Sequence, residues 1–387
     1  MTSVAQAERI ILGTAKPFPA EVCALKNACG RILRENIKSD RDQPPFDKAL
    51  MDGIAIAYAS WQKGNRSFII EGIIPAGHMA VRLKNKTHCV QIMTGAVIPK
   101  GCDCIIPIEH ARIKGNTAFL KDRFKVKPWQ FIRCKGMDAK KGDVLLSSGL
   151  RLAPPQIGTA ASVGKKQVKV SCQPDIAIIA TGDELVDIGR PIKIHQTRLS
   201  NSYAVRSLIN GSGLAKADMV HLPDNKKILL SNIRRILKQY DIVILSGGVS
   251  MGEFDYIPSV LAQLGVKVLF HKVAQKPGKP FWFGTTQTNK PVFALPGNPA
   301  STLVCACRYV MPYLAKAAGL KIKREFIAVK RPPLIRSQLI HFLGVKDGNI
   351  VPSGGSGDFT ALARAEGFIE YDSRIKKSVW PYFSWRP

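Results

Sequence analysis

Short apolar runs alternate with stretches of helical spacing between residue 175 and about residue 319. Runs rich in Ile, Val and Leu that end at Gly, Pro or Asn are typical of buried strands. Strands are predicted at residues 176–179, 217–222, 242–245, 266–271, 280–283 and 292–295. Because strands that alternate with helices form parallel sheets with both faces covered, this segment predicts a central parallel, doubly wound αβ domain.

Polar residues indicate where the helices of this segment begin. Ser, Asn and Asp favour the N-cap because their side chains accept hydrogen bonds from the first backbone N–H groups of a helix. Pro299 suits the first helical position, where no N–H partner is lost. The predicted N-caps are Asn201 for a helix through residue 208, Asp224 or Asn225 for the helix 226–239, Asp255 for the next helix, and Asn298 for a long helix ending near residue 319.

The rest of the sequence changes character from part to part. The N-terminal residues show helical spacing after Ser3, a candidate N-cap. Short β-like runs follow at residues 67–71, 89–93, 104–108 and 118–121. We therefore expect a multidomain α/β protein: a helical and extended N-terminal domain (1–40 with 140–171), an inserted β-rich domain (41–139), the αβ domain (172–322) and a small C-terminal β domain (323–387).

The chain is strongly basic, with 57 Lys and Arg against 28 Asp and Glu and a formal charge of +29. A nucleic-acid partner would explain such a charge. The basic residues are scattered, however, and form neither a block nor a stretch interleaved with stacking aromatics. A generally basic surface is therefore favoured over nucleic-acid binding, and it would still help to steer a small phosphorylated substrate.

The nine cysteines include no Cys-x-x-Cys pair, and no His ligands lie near the closest pairs. Reduced thiols packed as small apolar side chains are expected. The N-terminus lacks the pattern of a secretion signal, and no apolar run is long enough to span a bilayer. The sequence predicts a cytoplasmic protein with no membrane partner.

Glycines, acids and lysines recur in the loops that follow the predicted strands. Ligands of open parallel sheets bind where the carboxyl ends of the strands meet, so these loops are expected to form one site. Glycines let the backbone approach an oxyanion, and lysines add positive charge. The loops are Thr181-Gly182-Asp183-Glu184, Pro223-Asp224, the stretch from Ser246-Gly247-Gly248 through Ser250 to Asp255, Lys276-Pro277-Gly278-Lys279-Pro280, and Pro296-Gly297-Asn298-Pro299.

Acids that converge on a phosphate site repel the phosphate unless a divalent cation lies between them. Asp183, Glu184, Asp224 and Asp255 therefore imply a Mg²⁺ site. Simpler interpretations exist: Asp224 and Asp255 as helix caps only, the paired glycines as a plain turn, and the Lys-Pro-Gly-Lys-Pro stretch as a solvated connection. The joint occurrence of these features after successive strands favours the site.

These motifs resemble those of a known family. Thr-Gly-Asp-Glu-Leu at 181–185, Ser-Gly-Gly-Val-Ser-x-Gly-Glu-x-Asp-Tyr at 246–256, Lys-Pro-Gly-Lys-Pro at 276–280 and Leu-Pro-Gly-Asn-Pro at 295–299 resemble the signature set of the molybdopterin molybdenumtransferases, which include the E domain of gephyrin. Pro-Pro-Phe-Asp at 44–47, Met-Asp-Gly at 51–53 and Ile-Met-Thr-Gly-Ala at 92–96 agree. The resemblance extends to about residue 320.

The resemblance implies a function. The family takes adenylylated molybdopterin and molybdate, releases AMP and inserts molybdenum into the dithiolene with the help of a divalent cation. Its known members are homodimers whose cleft lies between the αβ domain of one subunit and the β-rich domain of the other. Carried over by position, the expected catalytic residues are Asp52, Asp138, Asp224 and Asp255; the substrate-binding residues are Thr94, Gly182, Ser246, Gly247, Gly248, Ser250, Lys276, Lys279, Pro296, Asn298 and Pro299; and the ligands of Mg²⁺ are Asp183, Glu184, Asp224 and Asp255.

The sequence departs from the family pattern at Lys48, Ala49, Ile54, Met137 and Leu343. Two alternatives therefore stay open. One is a paralogue that binds molybdopterin or acts as a scaffold without catalysis. The other is a nucleotide pyrophosphatase, because competence-damage-inducible proteins share the αβ domain, although the Met-Asp-Gly and Met-Thr-Gly loops disfavour this reading. Molybdate and tungstate have the same charge and nearly the same size, so the motifs suit either oxyanion.

Overall fold

The computed structural model describes residues 1–79, 81–121, 124–248, 256–321, 323–330 and 333–385. The chain divides into two compact units. The large unit comprises Met1–Glu35, Ser148–Ile157 and Lys166–Pro387, and the small unit comprises Asn36–Ser147 and Gly158–Lys165. None of the described helices has the length and apolarity needed to span a bilayer.

A six-stranded sheet is the main element of the large unit. Its strands are β1 (Asp175–Thr181), β2 (Lys216–Leu222), β3 (Ile242–Ser246), β4 (Lys267–His271), β5 (Trp282–Thr285) and β6 (Pro291–Leu295). The order across the sheet is β2-β1-β3-β6-β5-β4. The first four strands in this order, β2, β1, β3 and β6, are parallel to one another. In contrast, β5 is antiparallel to β6, and β4 is antiparallel to β5.

The antiparallel edge differs from the prediction of a wholly parallel sheet. Only residues 286–290 connect β5 to β6. A parallel connection needs a crossover of a dozen residues or more, so a link this short forces a hairpin. The predicted strand 280–283 also begins later, at Trp282.

Helices cover both faces of the sheet, as the fold class predicts. They are α1 (Ser200–Ser212), α2 (Lys226–Gln239), α3 (Ile257–Gln263) and α4 (Pro299–Cys305). Alternate residues of β1 enter different cores: Ile176 and Ile178 pack with α1 and α4, and Ala177 and Ile179 pack with α2 and α3. Burial of each of these isoleucines contributes roughly 1.5–3 kcal/mol. The multidomain α/β fold class is confirmed.

The structure confirms some of the predicted helix starts. Ser3 caps the N-terminal helix Val4–Thr14, with its Oγ accepting from the N–H of Gln6 at 3.2 Å. Asn225 caps α2 by accepting from the N–H groups of Lys227 and Ile228 at 3.0 and 3.2 Å. The cap of α2 is thus Asn225 and not Asp224.

Two other predicted caps are wrong. The N-cap position of α1 is Leu199, so Asn201 lies inside the helix. The N-cap position of α3 is Tyr256, so the helix begins one residue later than a cap at Asp255 would place it. Asp255 itself, like Ser250, lies outside the described residues.

The predicted long C-terminal helix of the αβ region is built from three pieces. The helix α4 continues into a π-helical stretch, Ala306–Val310, and then into a second α-helix, Met311–Ala317. All five residues of the π-helical stretch are buried. Gly319 follows with a φ of 78°, which agrees with the predicted end of the helix.

The C-terminal residues of the large unit form a second sheet. Its strands in spatial order are Gln275–Lys276, Ile340–Lys346, Gly367–Tyr371, Val379–Ser384 and Glu325–Ala328, and Asn349–Ile350 pairs with the second of them. The helix Phe359–Arg364 packs beside it. The strand Gln275–Lys276 is parallel to Ile340–His341, so the lysine-containing loop is tied to this sheet.

Smaller pairings complete the large unit. Ala20–Ala24 runs antiparallel to Gln167–Ser171, and Leu185–Val186 runs parallel to Thr197–Arg198. A 3₁₀ turn spans Leu25–Asn27. The helix Pro154–Ser162 has residues in both units.

The small unit contains a six-stranded sheet in the order Cys104–Pro107, Gly53–Ile56, Cys89–Ile92, Ser67–Ile74, Thr117–Leu120 and Ala111–Lys114. All four strands predicted for the β-rich region are found here. The pairs Ile37–Lys38 with Val144–Leu146 and Lys48–Ala49 with Ile132–Arg133, the helix Tyr58–Gln62 and the 3₁₀ turn Ile108–His110 complete it. The four predicted domain boundaries stay a prediction.

All nine cysteines are free thiols. Burial raises the pKa of Cys89, Cys104, Cys305 and Cys307 to about 12. Because the thiolate is the reactive form, these cysteines are inert at neutral pH and pack as small apolar groups.

Candidate functional site in the large unit

A cleft of about 860 Å³ opens at the carboxyl ends of the parallel strands. The loops that follow β1, β2, β3 and β6 meet there, as expected for an open parallel sheet. The predicted site residues that line the cleft are Gly182, Glu184, Asp224, Gly247, Gly248, Lys276, Lys279, Pro296 and Asn298. Clefts of about this volume bind small organic molecules.

The glycine loop after β3 has a conformation that only glycine adopts without strain. Gly247 and Gly248 have φ angles of 96° and 66°. A Cβ on Gly248 would lie 2.8 Å from Cγ1 of Ile257 and 3.0 Å from Oγ1 of Thr181. The N–H of Gly247 donates to the carbonyl of Leu295 at 3.2 Å, so it holds the loop against β6 and does not point at a ligand.

The acids that follow β1 and β2 lie together at one edge of the cleft. Glu184 and Asp224 both line it. Asp183 lies outside the lining but joins the two loops, because its Oδ1 accepts from the N–H of Asp224 at 3.2 Å. Residues far apart in the chain are thus brought together as predicted.

The chemistry of this donor set fits Mg²⁺. Carboxylate oxygens are hard ligands, and Mg²⁺ often uses only one or two of them together with phosphate oxygens and water. Glu184 and Asp224 supply such a pair. Within the described ranges no group of three or more His, Cys, Asp or Glu side chains is arranged to hold a metal ion.

Lys276 and Lys279 flank a loop whose backbone is hydrogen-bonded to a buried side chain. Gly278 has a φ of 95°, and its carbonyl accepts from Nε2 of Gln275 at 3.2 Å. Gln275 is fully buried and also receives a hydrogen bond from the hydroxyl of Tyr309. Both lysine residues are exposed, and both line the cleft.

Asn201 ties the cleft loops together, a role that the sequence did not reveal. Its Nδ2 donates to the carbonyl of Gly297 at 2.7 Å and lies 3.2 Å from both Oγ of Ser246 and Oγ1 of Thr302, either of which can accept its second hydrogen. Ser246, predicted as a substrate contact, is buried and absent from the lining. Pro299, the first residue of α4, is also absent from the lining.

Asn298 is at the predicted N-cap position of α4, but its side chain does not cap the helix. Its Nδ2 donates instead to Oγ of Ser356 at 2.8 Å, and the carbonyl of Ser356 accepts from the N–H of Ala300 at 3.0 Å. These two hydrogen bonds fasten the C-terminal loop to the start of α4. Asn298 therefore builds the wall of the cleft.

The C-terminal sheet supplies an apolar wall to the cleft. The apolar lining residues of this wall are Ile335, Leu339, Leu343, Ile350, Val351, Leu362 and Phe368. His341 lies among them, with its pKa lowered by burial and by the charge of Lys276. The cleft thus has a charged end and an apolar end, which suits a ligand with a phosphate at one end and a largely uncharged ring system at the other.

Asp52, Thr94 and Asp138 lie in the small unit. Oδ1 of Asp52 accepts from the N–H and the hydroxyl of Thr94, both at 2.6 Å, and these bonds lower the pKa of Asp52. Asp138 pairs with the guanidinium of Arg133. All three are exposed, and their expected role opposite the cleft stays a prediction.

Two family models match the chain. The MoeA N-terminal region (domain I and II) matches residues 2–164, and a probable molybdopterin binding domain matches residues 177–316. The molybdopterin molybdenumtransferase of Synechocystis sp. is 36% identical over 399 residues, which cover 100% of both chains. The chain belongs to the molybdopterin molybdenumtransferase family. The family predicted from the motifs is thus confirmed.

Further members of the family agree in sequence and fold. The molybdopterin molybdenumtransferase of Haemophilus influenzae is 36% identical over 345 residues, covering 89% of this chain and 81% of its own. Two crystal structures of the molybdopterin biosynthesis moeA protein from Pyrococcus horikoshii match with TM-scores of 0.80 and 0.82 at 28% and 25% identity. They cover 100% of both chains, and 99% of this chain with 98% of the other, respectively.

The positions at which this chain departs from the usual molybdopterin molybdenumtransferase pattern have different surroundings. Ala49 and Ile54 are fully buried in the core of the small unit. Lys48 is half-buried, whereas Met137 is exposed. Leu343 belongs to the apolar wall of the cleft. The charged end of the cleft carries none of these changes.

Proposed function

We propose that this chain inserts molybdenum from molybdate into molybdopterin that it receives as an adenylate, and that it releases AMP with the assistance of Mg²⁺. The observation that carries the proposal is the meeting of Glu184, Asp224, Lys276 and Lys279 in one cleft. Two carboxylates and two ammonium groups in a single cleft suit an anion that binds with a divalent cation. Neither an apolar binding site nor a plain turn requires that combination.

The residues of the cleft have different roles in the proposed reaction. Glu184 and Asp224 would hold Mg²⁺, which supplies charge neutralisation at the phosphate oxygens. Lys276 and Lys279 bind the phosphates and stabilise the negative charge that develops when the phosphoanhydride is hydrolysed to AMP. Gly247 and Gly248 let the loop pack closely against Thr181 and Ile257 at the edge of the cleft, and the apolar wall contacts the uncharged part of the ligand.

A homodimer belongs to the same proposal. Asp52, Thr94 and Asp138 lie in the small unit, and the family resemblance assigns them to the other side of a shared cleft. The hydrogen bonds from Thr94 keep Asp52 ionised, as a group that acts as a base or binds a cation requires. Sedimentation equilibrium measures the mass of the assembly, and a monomer at micromolar concentration would contradict the shared cleft.

The activity is tested directly with the purified protein. Incubation with adenylylated molybdopterin, Mg²⁺ and molybdate is expected to yield AMP, measured by chromatography, and molybdenum cofactor, measured by activation of a cofactor-free molybdoenzyme. The parallel reaction with tungstate identifies the preferred oxyanion. Tight binding of the adenylate without formation of AMP would instead identify a catalytically inactive paralogue.

The same assay distinguishes the transferase from a nucleotide pyrophosphatase. A transferase of this family acts on the adenylylated pterin, whereas a nucleotide pyrophosphatase cleaves ordinary dinucleotides. Cleavage of such dinucleotides at a rate equal to that of the adenylylated pterin would therefore contradict the proposal.

A further inference from the structure

The lysine loop, defined as Lys276 to Lys279, is held by backbone hydrogen bonds to the carbonyls of Gly278 and Lys279 and by one buried side-chain amide. Gln275, which directly precedes it, is fully buried. Nε2 of Gln275 donates to the carbonyl of Gly278 at 3.2 Å and lies 3.3 Å from Sγ of Cys305. A change in the orientation of this amide would therefore break a side-chain hydrogen bond that holds the loop at Gly278.

The hydroxyl of Tyr309 fixes that orientation. It donates to Oε1 of Gln275, so the nitrogen of the amide must face Gly278. Tyr309 is buried, and burial raises its pKa well above the ordinary value, which keeps the phenol protonated as a donor. A buried donor and acceptor that satisfy each other specify one geometry, because every alternative leaves a polar group unpaired.

The π-helical stretch Ala306–Val310 places Tyr309 where it can make this contact. Its ring packs 4.9 Å from the ring of Phe281, and the guanidinium of Arg308 lies 5.2 Å from its centroid. Arg308 is in turn paired with Glu8 and Glu370. The tyrosine is thus held on several sides and has little freedom to follow a mobile loop.

We propose that Tyr309 and Gln275 are positioning residues for the lysine loop: their hydrogen-bonded pair fixes the carbonyl of Gly278 and so aims Lys276 and Lys279 at the phosphates of the substrate. This inference rests on the function proposed above. Tyr309 does not line the cleft, so its hydroxyl acts on a bound ligand only through Gln275 and the lysine loop.

The variant Tyr309→Phe removes the hydroxyl and keeps the ring. It is expected to raise the KM for adenylylated molybdopterin roughly three- to tenfold, because an aimed charge contributes to binding in the manner of a single hydrogen bond. Tyr313→Phe is the matched control. Tyr313 is a buried tyrosine of the following helix and is not part of the cleft lining, so its KM is expected to equal that of the wild type.

A second pair of variants separates positioning from a general loss of structure. In a protein that carries Lys276→Met and Lys279→Met, Tyr309→Phe is expected to change the KM no further, since residues that act through one another are not additive. The double variant Tyr309→Phe/Gln275→Met removes both buried partners together, which protects stability. It is still expected to raise the KM in the protein that retains both lysines.

An unchanged KM in Tyr309→Phe and in the double variant would overturn the inference, as would an equal increase in the protein without the lysines. If the wild type forms no AMP, the proposed function fails, and the inference is then judged by calorimetric binding of AMP. In that case the same three- to tenfold weakening in Tyr309→Phe, and none in Tyr313→Phe, supports it; equal affinities overturn it.

Discussion

At the scale of single residues, Gly278 shows why the lysine loop needs a glycine. Its φ is 95°, and an added Cβ would lie 2.6 Å from both Sγ of Cys305 and Nε2 of Gln275. Both neighbours are buried and cannot move aside. We therefore expect Gly278→Ala to lower the free energy of unfolding by about 2–4 kcal/mol, from the strained backbone together with the overpacking.

Gly13→Ala is the matched control for that prediction. Gly13 lies in the helix Val4–Thr14, and an added Cβ would meet nothing within 4 Å. A helix with alanine at an interior position is more stable than the same helix with glycine there by up to about 1 kcal/mol. Urea unfolding of both variants measures the two effects, and a Gly278→Ala protein as stable as Gly13→Ala would contradict the proposed constraint.

Asp358 provides a test in the pH dependence of stability. Its carboxylate accepts from the N–H of Gly354, from the hydroxyl of Thr360 and from the N–H of Ala361, and these bonds lower its pKa from 3.8 to about 2. A carboxylate whose pKa is lower in the folded state stabilises the fold above its unfolded pKa, and this contribution disappears as the pH falls through the folded pKa.

We accordingly expect the stability difference between the wild type and Asp358→Asn to be constant above about pH 5 and to shrink as the pH falls from about 4 towards 2. Urea unfolding of the two proteins across this range measures it. A difference that stays constant throughout would show that the charge of Asp358 does not support the loop.

The residue scale also shows where sequence patterns mislead. Asparagine is a residue type that favours the N-cap position of helices. Of Asn201 and Asn298, however, only Asn298 occupies such a position. Both side chains bond to distant loops instead. Cap preference describes the local backbone, whereas these contacts join residues 96 and 58 positions apart, which no local pattern encodes.

At the scale of elements, the π-helical stretch Ala306–Val310 carries a buried charge. Arg308 is 1% exposed and pairs with Glu8 at 3.0 Å and with Glu370 at 2.8 Å. It joins the N-terminal helix, the π-helical stretch and the C-terminal sheet. Removal of one member of such a group leaves carboxylates without their partner in a poorly solvated place.

Arg308→Met is therefore expected to lower the free energy of unfolding by about 3–5 kcal/mol. Arg324→Met is the control, because Arg324 pairs with the same Glu8 but is half exposed, so its loss is expected to cost less than about 1 kcal/mol. Calorimetric unfolding of both variants compares them. Equal destabilisation would show that burial of Arg308 is not what matters.

The elements of the central sheet were largely predictable. Each of its six strands coincides with a predicted apolar run, because β-branched residues bounded by glycine and proline fit a buried sheet. The antiparallel direction of β4 and β5 was not predictable from these runs. The short connection between β5 and β6 contains the information, but an apolar run alone does not show whether its neighbour is parallel or antiparallel.

At the scale of the whole molecule, the net charge of +29 is the most unusual property. The motifs and the family membership account for a cleft with two lysines, and they require no nucleic acid. We expect no retardation of duplex DNA or of RNA at physiological salt, since scattered charges bind polyanions weakly once counterions compete. Electrophoretic mobility shift measures this, and retardation that persists at that salt would indicate an additional partner.

The candidate site was predicted at the same scale with mixed success. Glu184, Asp224, Lys276 and Lys279 meet in one cleft, as the loop pattern requires. Parallel strands bring their carboxyl ends to one edge, so this convergence follows from topology alone. The apolar wall was not foreseen because it comes from the C-terminal sheet, whose strands carry no recognisable motif. Asp255 and Ser250 lie outside the described residues, so their roles stay predictions.

The central claim is that the carboxylates and lysines of one cleft act together on a phosphoanhydride, and molybdate-dependent release of AMP tests it most directly. In the presence of Mg²⁺, Glu184→Gln/Asp224→Asn is expected to release AMP at least about a hundredfold more slowly than the wild type, because the cation loses both its carboxylates. Glu325→Gln, which removes an exposed carboxylate outside the cleft, is expected to match the wild type. Undiminished release by the cleft variant would contradict the account.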